Sequence, residues 1–223
     1  MGDPSEQSFL EALAPGQAAA LRALGRRRRY AAGSALFIER DPADAVLIVQ
    51  SGRVKLSCVT EGGREAVLGI REPGDLIGEM SAIDDAPHMA TARALEPVEV
   101  IAVSSDAFVA FLERAPGVAL VLVRMLNRRL RDADRKRTEF VAQDTVGRVC
   151  SRLVELADRF GEQGDGGVHI DLTITQEELA GWTGSSREAV IRALRTLREL
   201  GWIATRRRGI TLLDVEMLRR RAV

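Results

Sequence analysis

Residues 175–205 constrain this chain more than any other stretch. Thr175 and Glu178 have the spacing of a capping box, and Ser185 and Glu188 repeat it ten residues later. Each pair can satisfy backbone N–H groups left unpaired at a helix start. Trp182, Thr183 and Gly184 leave room only for a tight turn between the two starts. The spacing predicts two short helices across a tight turn, the punctuation of a helix-turn-helix.

The second helix sorts its faces. At about 100° per residue, Arg187, Glu188, Ile191, Arg192 and Arg195 share one side, and Ala189, Val190, Ala193, Leu194 and Leu197 the other. Such a helix buries its apolar side and holds arginines outward. Arginine's planar fork suits the O6/N7 edge of guanine, glutamate accepts from a cytosine amino group, and isoleucine can touch a thymine methyl. An ordinary solvated helix face is the plain alternative for one helix alone. Residues 202–205 and 210–213, however, flank Arg206, Arg207, Arg208 and Gly209. That pattern predicts a β-hairpin wing able to touch phosphate, and with the caps and turn it points to a DNA-reading head.

Charge is distributed to match. The 223 residues have zero formal net charge, yet residues 1–114 hold 12 Lys/Arg against 17 Asp/Glu, and residues 115–223 hold 20 against 15. A basic C-terminal part behind an acidic N-terminal part fits nucleic-acid binding by one domain only. The arginine run at 26–29 reads as a solvated surface patch. No apolar run approaches the roughly twenty residues needed to span a bilayer, and no leader resembles a signal peptide, so a cytoplasmic protein with no membrane partner is expected. Cys58 and Cys150 are too few for a disulfide framework and are expected to be buried free thiols.

Apolar positions Phe9, Leu10, Leu13, Ala20, Leu21 and Leu24 suit two short helices within residues 5–30, split at Pro15 and Gly16. From 35 to 103 the pattern changes to short apolar or alternating runs at 35–38, 46–50, 54–59, 66–70, 76–77, 91–95 and 98–103, punctuated by Gly and Pro. Many short strands at such spacing indicate a β-sandwich or jelly roll. Residues 105–113 look helical, and Pro116 suits the first turn of a long helix running to about Gln143. Along it Val123, Leu126, Leu130, Ala133, Arg137 and Phe140 step by 3 and 4 residues, a coiled-coil seam. A helix at 147–160, an exposed polar loop at 161–167 and a strand at 169–173 lead into the helix-turn-helix. The expected class is α+β, with a jelly-roll or cupin-like double-stranded β-helix at 1–115, a dimerisation helix at 116–143 and a winged helix-turn-helix at 144–223.

This order resembles the cAMP receptor protein/FNR family of bacterial transcription regulators over nearly the whole chain. The match is carried by Gly74-Asp75-Leu76-Ile77-Gly78-Glu79, by Asp144-Thr145-Val146-Gly147-Arg148, and by Thr175-Gln176-Glu177-Glu178-Leu179-Ala180 continued from Gly184 to Arg192. The resemblance implies a homodimer whose seam helices connect an effector-binding β-roll to two DNA heads, with RNA polymerase as a further partner. It also implies that Arg187, Glu188 and Arg192 read a TGTGA half-site. The candidate DNA-binding set is Thr175, Gln176, Ser185, Ser186, Arg187, Glu188, Ile191, Arg192, Arg195, Arg206, Arg207 and Arg208.

The effector pocket departs from the pattern. Family members that bind cyclic nucleotides hold the ribose with the Gly-Glu turn, and Gly78 and Glu79 match it. The Arg-Ser or Arg-Thr pair that holds the phosphate falls on His88 and Met89. The adenine-contacting Thr-Ser pair falls on Ala133 and Asp134. A weak cAMP response, or none, is the expectation, with a different nucleotide or small effector as the alternative. Asp134 is placed to meet Arg137 of its own chain or of a second copy, and Arg93 or another arginine to supply the missing charge. Two distant cysteines do not suit an iron–sulfur cluster, so none is expected. His88, a lone histidine in a turn, is expected to be exposed rather than a haem ligand. A cupin-like enzyme would need clustered His and carboxylate ligands, and His88 and His169 lie in different domains, so no enzymatic activity is expected.

Overall fold

The computed structural model describes residues 7–164, 166–170, 174–206 and 209–222. In chain order the first half runs α1 (Pro15–Ala23), β1 (Arg26–Tyr30), β2 (Ala35–Phe37), β3 (Ala45–Ser51), β4 (Val54–Val59), β5 (Glu65–Arg71), β6 (Leu76–Ile77), α2 (Glu79–Asp84), β7 (Thr91–Ala94) and β8 (Val98–Ser104). Then follow α3 (Ser105–Arg114), α4 (Pro116–Ala142), α5 (Thr145–Phe160), β9 (Gly161–Gly164), β10 (Gly167–Ile170), α6 (Gln176–Thr183), α7 (Arg187–Glu199), β11 (Ile203–Arg206), β12 (Gly209–Leu212) and α8 (Val215–Arg221). The chain divides into one unit of Met1–Cys58 with Leu68–Asp132 and a second of Val59–Val67 with Ala133–Val223.

In the first unit one antiparallel sheet, ordered β1-β8-β3-β6, has apolar residues on both faces. Strand side chains alternate with period two. Val46, Ile48, Ile101 and Val103 therefore enter one core with Phe9, Leu21, Phe108, Val118 and Leu122 from the N-terminal segment, α1, α3 and α4. Leu47, Val49, Val98, Val100 and Ala102 enter a second core with Val54, Ala92 and Ala94 of the other sheet, ordered β2-β7-β4-β5. Being buried on both sides, β3 reads as a near-continuous apolar run. This is the double-sheet β domain expected from the short strands.

In the second unit α5 buries Val149, Cys150, Leu153 and Leu156, while α6 and α7 form the helix-turn-helix. The sheet is ordered β11-β12-β10-β9, with the β11–β12 hairpin in the position of the wing. Arg207 and Arg208 lie outside the described residues, as do 171–173 of the expected strand.

Several local expectations are corrected. Residues 26–30 form β1 rather than helix, because their backbone pairs with β8 and Arg27 and Arg29 both meet Glu99 there, at 3.0 and 2.9 Å. Residues 8–13 form turns, not a helix, although Phe9, Leu10 and Leu13 are buried as their apolar character demands. Residues 161–164 are not loop but strand β9, held by backbone pairing to β10. The short helices α2 and α8 were not anticipated. Cys150 is buried as expected, but Cys58 is only half-buried.

Candidate nucleic-acid interface and effector pocket

The first cap of the helix-turn-helix forms as the spacing predicts. The Thr175 hydroxyl accepts from the Glu178 N–H at 3.1 Å, and the Glu178 carboxylate accepts from the Thr175 N–H at 2.9 Å. The second does not. Ser186, not Ser185, caps α7, accepting from the Ala189 N–H at 3.2 Å. Ser185 is occupied elsewhere: its hydroxyl accepts from the Arg148 guanidinium at 3.2 Å. Arg148 also donates to the carbonyls of Thr183 at 2.8 Å and Gln143 at 2.6 Å. It lies over the Phe140 ring, 4.9 Å from its centre. One side chain thus ties the turn of the motif to the end of α4.

That turn needs glycine. Gly184 has φ +59°, and an added Cβ would stand 2.7 Å from the Phe140 ring. With α6 and α7 so joined, Val190, Ala193, Leu194 and Leu197 are buried while Arg187, Glu188, Ile191, Arg192 and Arg195 are exposed. The face-sorting read from the sequence therefore describes the folded helix. Among the described residues, no hydrogen bond or ion pair engages the Arg187 or Arg192 guanidinium, whereas Arg195 pairs with Glu199 at 2.8 Å. The backbone N–H at the start of α7, then the Ser186 hydroxyl and the neighbouring arginines, hold the Glu188 carboxyl below the usual range. Glu188 therefore remains an ionised acceptor between cations. Thr175, Gln176 and Arg206 are exposed on the same unit.

The effector candidates sit in the first unit. Gly78 takes φ +84° at the start of α2, a conformation that favours glycine. It presents Glu79, which is 3% exposed and pairs at 2.5 Å with Arg129 of α4. Arg129 donates also to the Leu76 carbonyl at 3.1 Å. The sequence reading missed Arg129. The one available signal was an arginine four residues before Ala133 on the seam helix.

His88 is buried, not exposed. Its ring stacks on Phe37 with centres 3.6 Å apart, and its Cε1 would be 3.2 Å from a Cβ at Gly78. Burial lowers its pKa, partly opposed by Asp44 and Asp41, so the imidazole is neutral at pH 7. Met89, beside it, is exposed. Arg93 donates to the Gly33 carbonyl on the exposed side of β7. Ala133 and Asp134 are exposed on α4, and among the described residues Asp134 makes no ion pair with Arg137 of its own chain.

On α4, Val123, Leu130, Ala133, Arg137 and Phe140 are exposed, together with Leu120. Leu126 packs against the core. Among the described residues no group of three or more His, Cys, Asp or Glu side chains is placed to hold a metal ion. Nor is any helix there long and apolar enough to cross a membrane.

Comparison with known proteins accords with this geometry. Residues 27–115 match the cyclic nucleotide-binding domain and residues 147–221 the Crp-like helix-turn-helix domain. The chain is 35% identical over 190 residues to a CRP-like cAMP-activated global transcriptional regulator of Mycobacterium tuberculosis, covering 85% of each chain. It is 36% identical over 176 residues to the cyclic AMP receptor protein of Thermus thermophilus, covering 79% of this chain and 78% of that one. Among solved structures, the c-di-GMP responsive global regulator CLP of Xanthomonas campestris superimposes with a TM-score of 0.81 at 26% identity. That match covers 89% of this chain and 99% of the other.

Proposed function

The chain belongs to the cAMP receptor protein/FNR family of transcription regulators, which are not enzymes, and from that premise we propose that it is a cytoplasmic homodimer reading a TGTGA-like palindrome. The observation that carries the reading is the exposed row of Arg187, Glu188 and Arg192 at the start of α7, on a helix whose other face is buried. Two such helices about a dimer two-fold axis enter successive major grooves about 34 Å apart. Arg187 and Arg192 each take a guanine, and Glu188 accepts from the cytosine paired near them. The wing, including Arg206, touches phosphate. RNA polymerase is the protein partner, as the family resemblance implies.

The same proposal assigns a weak cAMP response or none. A cyclic phosphate carries a full negative charge, and desolvating it is costly unless a charged hydrogen-bonding partner meets it. At the phosphate-binding positions stand a neutral, stacked His88 and an exposed Met89.

A salt-controlled gel shift on a TGTGA palindrome, with and without millimolar cAMP, tests both parts. Binding that shifts less than roughly tenfold with cAMP, about 1.4 kcal/mol of coupling, is expected. In a randomised-site selection, Arg187→Ala should lose preference at one base position. Retained preference refutes the assignment of that contact.

A further inference from the structure

We propose that the C-terminal helix α8 is a strap across the α4–α5 junction, and that Arg219 and Arg221 are positioning residues for the DNA head. The proposal rests on the operator-binding reading above. Only Gln143 and Asp144 lie between the end of α4 and the start of α5, and α8 grips both. The Gln143 side-chain amide donates to the Ala222 carbonyl at 2.6 Å. The Ser151 hydroxyl reaches that carbonyl at 3.3 Å and the Gln143 amide oxygen at 3.2 Å. Arg221 pairs with Asp144 at 2.5 Å, while Asp144 also caps α5 by accepting from the Gly147 N–H at 2.8 Å. Further along α5, Arg219 pairs with Asp158 at 2.5 Å.

The contact is close-fitting as well as polar. Leu218 is wholly buried, and a Cβ at Gly147 would stand 3.0 Å from the Arg221 guanidinium and 3.3 Å from its carbonyl oxygen. The last turn of α8 therefore lies flush on the first turn of α5. Rotating the backbone at 143 parts the Gln143 contacts with Ala222 and Ser151, and the Arg219–Asp158 and Arg221–Asp144 pairs hold α8 on α5 so that Ala222 stays within reach of Gln143. A head already fixed on the end of α4 loses less conformational freedom when it binds, and that difference appears as operator affinity.

Cys150 supplies an internal reporter. It is fully buried on α5, and burial pushes its thiol up to about 11, with the charges of Arg221 and Asp144 also acting on it. Parting of the strap exposes it. In a Cys58→Ser background, the full chain is compared with Arg219→Ser/Arg221→Ser for alkylation of Cys150, with rates corrected for thiolate fraction. Amide exchange at 143–148, melting temperature and operator affinity complete the comparison.

Alkylation and exchange should accelerate by about tenfold or more. Operator affinity should fall roughly three- to tenfold for all sequences alike, with base preference and melting temperature little changed. Arg219→Lys/Arg221→Lys should restore both rates and affinity. Unchanged alkylation and exchange in the serine variant overturns the strap. Faster alkylation with unchanged operator affinity overturns the positioning role. Failure of the unsubstituted chain to bind the palindrome overturns the operator reading and the positioning role with it, while alkylation and exchange still decide whether the strap exists.

Discussion

Arg129 and Glu79, fifty residues apart in sequence, form a buried ion pair at 2.5 Å that ties the long helix α4 to the Gly-Glu turn. Glu79 is 3% exposed, so Arg129 stands where water would otherwise meet its carboxylate. Removing one member of a buried pair costs about 3–5 kcal/mol, because the remaining charge is left uncompensated. Arg129→Leu should therefore be strongly destabilised in urea unfolding, and adding Glu79→Gln should recover much of the loss. If the double variant were no more stable than Arg129→Leu, packing rather than charge would be the cause.

His88 makes a prediction with a defined pH window. Its folded pKa lies below the ordinary value near 6.5, so the native protein resists protonation that the unfolded chain accepts. Its contribution is fully present above about pH 6.5 and is lost as pH falls from there toward the folded pKa. Stability measured from pH 7.5 to 5 should decline more steeply for the unsubstituted chain than for His88→Phe, which keeps a ring against Phe37. Parallel declines would remove His88 as the cause.

The uneven legibility of these features has physical reasons. The Thr175 cap, the turn at Gly184 and the sorted faces of α7 depend on contacts within four residues, so spacing alone reveals them. The strands of the first sheet show as short apolar runs because both of its faces are buried. Strand β9 was hidden because Gly-Glu-Gln-Gly has no apolar alternation and is held by backbone pairing. Helix α8 was hidden because it buries only Leu218 among charged neighbours. Choosing Ser186 over Ser185 as the cap required knowing that Arg148, thirty-seven residues away, claims the Ser185 hydroxyl. His88 is buried against Phe37, which arrives from a different strand, and beside Gly78.

The proposed dimer seam makes a solution prediction. Leu120, Val123 and Leu130 are at least half exposed on α4, one or two helical turns apart along one side. Such a stripe costs little only when a second copy covers it. Leu130→Glu places two carboxylates across the two-fold axis, and sedimentation should show monomer with operator binding lost. An intact dimer for this variant would move the seam elsewhere.

Burial, rather than the number of ion pairs, should decide which charges matter in the second unit. Arg152 of α5 is 3% exposed and meets Glu139 of α4 and Glu155 of its own helix, the latter at 2.5 Å. Lys136 adds a second cation, 3.1 Å from Glu155 and 5.9 Å from the Trp182 ring centre. Arg152 and Lys136 thus meet Glu139 and Glu155 with little access to water, the exposed Arg135 standing 3.9 Å from Glu139, so ionic strength should hardly affect the buried pairs. Arg152→Met leaves two half-hidden carboxylates to Lys136 and to the exposed Arg135, 3.9 Å from Glu139, and a loss of about 3–5 kcal/mol in urea unfolding is expected. Adding Glu139→Gln should return part of it by removing the carboxylate that has lost its buried partner. The Arg195–Glu199 pair has similar geometry, at 2.8 Å, but its side chains are 73% and 62% exposed. Water already solvates both groups, so Glu199→Gln should change unfolding by no more than experimental error. Comparable losses from Arg152→Met and Glu199→Gln would show that desolvation does not set the strength of these pairs.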